Sequence, residues 1–420
     1  MRRSTRSRHR KRTTRIFAHC VLIIAAVATQ ACLLSPQEDP PPPPHPGTST
    51  NHSVVMVTID TWRADHFNAR YTPNLWEAAQ TGTRIKTAWT PIGLTSPALA
   101  TMFTGLMPWE HGLRANNHHG YRLHTHLETT AESAKERGKK TAAFVSAYPA
   151  GPNGGLDEGF DIFDGPESGE RSGAIAVKRA RTWLAEQGKD APIYLWVHLY
   201  EPHGPYEPEE KHLKALGFSP SKATDVERYA AEVYGADALL APLLDDISAR
   251  TGTALVIAGD HGEVLLEETC GRQHERSTHE VVLHVPLVFR GAGMSSKTFE
   301  KPVSVSVVHQ VVETWLRGAV PELEALTAAN EPMPAFLAES GICEPDCAPG
   351  CAPEGLMGRD RLVHSEAWRI FDRPGRGKWS EGIDAPSDEH WRAYLDRIPP
   401  MSAPALSPEQ SEARSLGYTE

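Results

Sequence analysis

The chain has 420 residues, 40% hydrophobic and 23% charged, an ordinary globular composition that excludes collagen, a coiled coil and a polytopic membrane protein. Lys and Arg total 43 against 53 Asp and Glu, a net charge of −10, which excludes a nucleic-acid binder relying on overall basic charge. The balance is uneven: residues 1–37 hold eight basic residues and no acid, so the rest of the chain carries −18.

In chain order, the basic stretch Arg2 to Arg15 runs into the apolar segment Ile16 to Cys32, shorter than the roughly 20 apolar residues of a spanning helix. Residues 1–32 therefore read as an export signal, with Arg2-Arg3 as part of a very basic leading region. Thr29-Gln30-Ala31-Cys32 resembles a bacterial lipoprotein cleavage box, departing from it at Thr29 and Gln30. Cys32 would be the lipidated residue; plain secretion and an uncleaved anchor are the alternatives. Residues 33–52, with Pro40 to Pro44, form an extended polyproline-type linker that cannot bury a core. These features predict an exported, periplasmic or cell-envelope protein, attached to the membrane through an N-terminal lipid or helix. Beyond Cys20 and Cys32 only Cys270, Cys343, Cys347 and Cys351 remain. The i, i+4, i+8 spacing of the last three lacks the paired CxxC of structural zinc, so a disulfide-tied loop is favoured over a metal site.

From Ser53 onward strands and helices alternate. SVVMVTID is a continuous apolar strand ending at Asp60. TPNLWEAAQTG is punctuated as a helix by Thr72 at the N-cap, Pro73 at the first position and Gly82 past the end. SPALATMFTG repeats the device with Ser96, Pro97 and Gly105. TAAFVSAY, PIYLWVHLY, TALVIAGD and PLVFR read as further strands, and Ala174 to Glu186, Asp225 to Arg250 and Val307 to Leu316 as helices. Trp76, Trp183 and Trp315 lie among apolar helix neighbours and read as core. The pattern predicts an α/β fold: a three-layer α/β/α sandwich with a mostly parallel central sheet over 53–320, followed by a short C-terminal subdomain, 321–420, that carries the cysteine loop.

Ligands in such sheets bind beyond the carboxyl ends of strands. Three ends carry similar polar groups: Asp60-Thr61, Asp260-His261-Gly262, and His198, Glu201 and His203 in HLYEPHGPY. One Asp after a strand is usually a turn or a cap, but three ends sharing carboxylates and imidazoles supply what a divalent cation needs. Thr95 and Ser96, at a helix N-terminus, are positioned for a nucleophile whose anionic target is met by helix N–H groups. Taken alone, Ser96 would be only a cap and Thr95 a turn residue. The histidines of 117–126 read as a solvated rim, and His309 as a structural histidine.

These residues resemble the sulfatase branch of the alkaline phosphatase superfamily. The resemblance runs through VTIDTWRADHF, TPNLWEAAQTG, TSPALATMFTGLMPWEHGLRAN, LYEPHGPY, GDHGE and HVPLVFRGAG, and resumes in SLGYTE. It implies Asp60, Asp260 and His261 as metal ligands, Thr95 as nucleophile and further ligand, and Asn116, His203 and His274 as the residues that hold the tetrahedral group. Arg63 and Arg114 fall inside the motifs as supports or as structural ion pairs. Where the family's formylglycine signature has Cys or Ser and, four residues on, Arg, this chain reads Thr95-Ser96-Pro97-Ala98-Leu99. Threonine cannot become formylglycine, so none is expected. Threonine nucleophiles occur in phosphoester-cleaving members of the wider superfamily, which implies attack of metal-bound Thr95 on a phosphate mono- or diester through a covalent phospho-threonine. A sulfuric ester hydrolase without formylglycine and a non-catalytic binding protein on the same scaffold are the alternatives. One divalent ion is expected, Mn²⁺ or Zn²⁺ before Ca²⁺ or Mg²⁺, because the donor set mixes oxygen and nitrogen and Thr61 replaces a second Asp. The implied partner is a small-molecule, glycan or lipid ester and not a nucleic acid.

Overall fold

The computed structural model describes residues 52–116, 121–267 and 274–328, and four strands between 336 and 382. All lie in one compact unit, Thr48–Glu420. The export signal, most of the linker, all six cysteines, and His118 and His119 lie outside the described residues. Among the described residues no helix is long and apolar enough to cross a membrane.

Nine strands form the main sheet: β1 Ser53–Ile59, β2 Gly82–Trp89, β3 Lys140–Val145, β4 Ile162–Asp164, β5 Ile193–Leu199, β6 Thr253–Gly259, β7 His284–Arg290, β8 Lys297–Phe299 and β9 Val303–Ser304. The order is β4-β3-β5-β1-β6-β7-β2-β8, with β9 beside β2. Only β7 runs antiparallel to its neighbours, β6 and β2. Every residue of β1 and β5 is buried, as continuous apolar runs covered on both faces require. Alternate residues divide between the layers. Val54, Met56 and Trp196 pack with helices Thr95–Thr104 and Val307–Leu316, while Val55, Val57 and Leu195 pack with Gly173–Glu186 and Asp225–Ser248. The result is the three-layer α/β/α sandwich with a mostly parallel sheet that the patterning predicts.

The departures are local. Thr72 precedes helix Pro73–Ala79 but gives no side-chain cap; its Oγ1 donates to Asn68 O at 3.1 Å. The free N–H groups of that helix go instead to Asp237, which accepts from Leu75 N at 2.8 Å and Asn74 N at 3.1 Å. Gly82 opens β2, where an added Cβ would lie 2.6 Å from Phe289 O. Ser96 is not an N-cap, since the helix starts at Thr95 with Leu94 before it; Gly105 closes it at φ 73°. Trp183 and Trp315 are core, but Trp76 is half-buried and Arg84 lies over its ring at 4.5 Å. Beyond the sandwich, β10 Phe336–Glu339, β11 Arg361–His364, β12 Trp368–Arg373 and β13 Gly377–Gly382 form an antiparallel sheet in that order. Its Leu362 is buried with Trp89, Val264, Val282 and Leu283.

Candidate active site

Adjacent strands β5, β1 and β6 run parallel, so their carboxyl ends deliver His198, Asp60 and Asp260-His261 to one edge of the sheet. Two antiparallel steps, through β7, return β2 to the same direction, and the helix that starts at Thr95 follows β2 at this edge. The turn after β1 is held by Thr61 at φ 50°, with its N–H on Asp260 Oδ1 at 3.2 Å. After β6, Gly262 is obligatory: an added Cβ would collide with Val281 O.

Asp60, Asp260 and His261 are each at most 1% exposed, and their ligand atoms lie within 4.8 Å of one another. His261 Nε2 is 3.5 Å from Asp60 Oδ1 and 3.7 Å from Asp260 Oδ2. None of these three atoms has a hydrogen-bond partner. Burial and then the Asp260 charge raise the Asp60 carboxyl well above its usual range. Burial pushes Asp260 up to about 7, against the hydrogen bond from His261 N. Burial, followed by repulsion from His274, lowers His261. Two carboxylates that cannot ionise together and an imidazole lone pair, all aimed inward without donors, fit a dication as their missing partner.

The loop before Thr95 is fixed on the His274 segment: Thr90 N donates to Leu283 O at 2.9 Å, and a Cβ on Gly93 would lie 2.6 Å from His274 O. The His274 ring is 4.5 Å from that of His261 and 5.0 Å from that of His203. These contacts bring His203 and His274 to the Asp60-Asp260-His261 cluster, and the loop that leads into Thr95 packs on the His274 segment. Thr95 is 3% exposed. Asn116, 7% exposed, accepts Ser96 N–H on Oδ1 at 3.1 Å, which leaves its NH₂ as the donor end of the amide.

That bond corrects the expectation that helix N–H groups after Ser96 meet an anion. Ser96 N–H is already donated, Pro97 has none, and Ala98 N bonds Leu94 O at 3.1 Å. The two histidines also separate. His203 Nδ1 lies 2.7 Å from Gly204 O, and since a carbonyl only accepts, Nδ1 carries the proton and Nε2 is a lone pair. Burial, then His274, lowers His203 to about 4. Burial alone would lower His274, but the charge and hydrogen bond of Glu263 Oε1, 3.1 Å from Nδ1, outweigh it and raise its pKa.

Glu201, grouped with the polar strand ends in the sequence, turns away and accepts Gly173 N–H at 2.9 Å. Arg63 is structural: buried, it bonds Glu267 at 2.8 Å, Asp65 at 2.6 Å and Glu263 O at 3.1 Å. Arg114 is buried. His309 rests near Phe103 O, at 3.2 Å, while His124 and His126 are exposed and stacked. Leu99, where the formylglycine signature has arginine, is fully buried in the core. Sequence reading missed Glu263, although the acid of GDHGE was its signal, and His111. His111 is fully buried, accepts Leu113 N–H on Nδ1 at 3.2 Å, and places Nε2 3.2 Å from Thr101 Oγ1. It thereby braces the helix that begins with Thr95.

A cavity of about 600 Å³ opens beside His203 and His274, lined also by Tyr206, Asp225, Arg228 and Glu263. A larger hollow of about 810 Å³, between helices Gly173–Glu186 and Asp225–Ser248, holds none of the residues described above. Chemistry, not volume, selects the first.

The family model described as Sulfatase matches residues 52–319. No curated protein matches the sequence. Among solved structures, the chain resembles Ps i-CgsB bound to k-i-k-neocarrahexaose, at TM-score 0.63 and 16% identity over 83% of this chain and 91% of that one. It also resembles the phosphonate monoester hydrolase of Silicibacter pomeroyi, at TM-score 0.59 and 15% identity over 88% and 96%. The phosphonate monoester hydrolase of Agrobacterium radiobacter gives 0.57 and 17% over 87% and 94%. At these identities the likeness shows a shared fold.

Proposed function

The chain belongs to the sulfatase family, a metal-dependent group of hydrolases acting on sulfuric or phosphoric esters, and on that premise we propose that it cleaves a phosphate mono- or diester with Thr95 as nucleophile. The observation that carries the reading is the residue at 95: a threonine, which cannot become formylglycine, at the start of a helix whose leading loop packs on the His274 segment, next to the buried Asp60-Asp260-His261 cluster. Structures of this fold are described both as sulfatases and as phosphonate monoester hydrolases, so likeness alone does not choose.

Asp60, Asp260 and His261 would hold one divalent ion, Mn²⁺ or Zn²⁺, with Thr95 Oγ1 completing the set. When bound, the cation supplies positive charge that lowers the pKa of a nearby hydroxyl and offsets charge on the transferring group. Thr95 Oγ1, its hydroxyl proton released to solvent, attacks phosphorus as the alkoxide; a new O–P bond forms, and the ester O–P bond breaks in line. Asn116, whose Oδ1 is held by Ser96 N–H, donates from its NH₂ to a non-bridging oxygen. His274, held by Glu263, gives its Nε2 proton to the departing alcohol. The neutral His274 then takes a proton from water as it displaces Thr95 from phosphorus, which restores both residues. His203, with Nε2 as a lone pair, accepts a hydrogen bond from the substrate instead of donating one. The leaving group occupies the cavity beside His203 and His274. Beyond residue 37 the chain carries −18, a field that repels anionic esters, so the local cation and donors must supply the attraction. The same reading places the enzyme outside the cytoplasm, exported by residues 1–32 and tethered at Cys32 or by the apolar segment.

The test is a Mn²⁺- and Zn²⁺-supplemented panel of aryl phosphate, phosphodiester, phosphonate and sulfate esters on wild type and Thr95→Ala. Turnover of a phosphorus ester, falling by about 10³-fold or more in the variant, is expected. Turnover of sulfate esters alone supports the sulfatase alternative, and turnover that survives Thr95→Ala removes the nucleophile. No turnover and no bound metal would indicate a binding protein.

A further inference from the structure

His198 is fully buried in β5, outside the cluster of three ligands, and the reaction described above does not use it. Its surroundings are ordered and one-directional. Trp196 Nε1–H, which can only donate, gives its proton to Thr58 Oγ1 at 2.9 Å. Thr58 Oγ1 lies 2.8 Å from His198 Nδ1. Among the described residues Nδ1 is the one acceptor within reach of the Thr58 hydroxyl proton, so that proton goes to Nδ1, which leaves the ring proton on Nε2. That Nε2 is buried without a hydrogen-bond partner, and Asp60 Oδ2 lies 4.0 Å from it. Asp60 is therefore flanked on two sides: Oδ1 faces His261 Nε2 at 3.5 Å and Oδ2 faces His198.

We propose that His198 is the positioning residue of the metal centre: through Nε2–H it fixes the Asp60 carboxylate, with its own tautomer set by Thr58 and Trp196. The inference rests on the reading of Asp60 as a ligand. The physical reason is that a carboxylate ligand has two oxygens and a free torsion, so a donor on the outer oxygen presents the inner one in a single orientation. At 4.0 Å the contact is longer than a hydrogen bond, so fixing the carboxylate requires Oδ2 to move about 1 Å toward Nε2 when the ion is bound.

The test compares metal binding in His198→Gln and His198→Asn, by calorimetric titration of metal-stripped protein with Mn²⁺ or Zn²⁺ and by the visible spectrum of the Co²⁺-loaded protein. The glutamine amide reaches the place of Nε2 and keeps the donor to Asp60, whereas asparagine reaches only the place of Nδ1. Asparagine is expected to weaken binding by about 10- to 100-fold and to shift the Co²⁺ bands, and glutamine to restore most of both. Thr58→Val, which leaves His198 in place and frees its tautomer, is expected to weaken binding by a smaller factor and serves where the His198 variants do not fold. Equal affinity and spectra in wild type, His198→Asn and Thr58→Val overturn the inference alone. A wild type that binds no divalent ion overturns the reading of the centre itself.

Discussion

Asp237 and Asp260 are both carboxylates buried to within 1% of full exclusion, and they differ in what meets their oxygens. Asp237 Oδ1 accepts Leu75 N–H, and Oδ2 accepts both the Asn74 N–H and its side-chain amide, the latter at 2.7 Å. Those bonds satisfy the start of helix Pro73–Ala79, and the carboxylate is spent. Asp260 Oδ1 is equally occupied, by Thr61 N–H at 3.2 Å and His261 N–H at 2.6 Å, but Oδ2 has no partner and faces His261 Nε2, which has none either. Burial is therefore common to a structural and a chemical acid. The unmatched lone pair distinguishes them, because leaving one buried costs about 1–3 kcal/mol unless something electropositive fills it.

Substitution should separate the two acids. Asp260→Asn is expected to have the larger effect: divalent-ion affinity falls by more than about 100-fold and ester turnover with it, while the metal-free protein becomes more heat-stable because a strained buried charge is gone. Unchanged affinity by calorimetry would merge the two classes of acid. Asp237→Ala is expected to do the reverse, losing about 1–3 kcal/mol in urea unfolding with metal affinity retained, since it strands helix N–H groups far from the ligands. A loss of metal binding in a folded Asp237→Ala protein would break the contrast.

The smallest effect belongs to His111. Burial, against the raising hydrogen bond of Pro97 O, lowers its pKa to about 3 from an ordinary 6.5. The unfolded chain thus takes up this proton first. The stability contributed by neutral His111 is complete above pH 6.5 and drains away as pH falls from there toward 3. His111→Asn, which keeps an acceptor for Leu113 N–H, is expected to cost about 1 kcal/mol at pH 7 and to flatten the acid limb of the stability curve. Acid limbs of equal slope in the two proteins would contradict it.

Much of this was legible in the chain itself. Apolar runs bounded by Asp60 and Asp260 announced buried parallel strands, and Val307–Leu316 was readable to the residue because its apolar spacing is helical throughout. Strand β2, GTRIKTAW, was not, since four of its eight residues are polar or charged and break up the apolar run, although most of the strand is buried. The residues proposed as ligands were visible as the acids and the histidine at strand ends, but which acid remains unsatisfied was not. Asp237 sits mid-helix and its partners are 162 and 163 residues away. The roles proposed for Asn116, His203 and His274 as donor, acceptor and acid rest on single hydrogen bonds to Ser96, Gly204 and Glu263, which spacing does not encode.

The central claim is that Asp60, Asp260 and His261 hold one divalent ion. Crystals of the protein reconstituted with Mn²⁺ or Zn²⁺, measured at the metal's absorption edge, test it most directly. One anomalous peak per chain is expected, within about 2.0–2.3 Å of ligand atoms of Asp60, Asp260 and His261. No peak there, or two peaks, would contradict it.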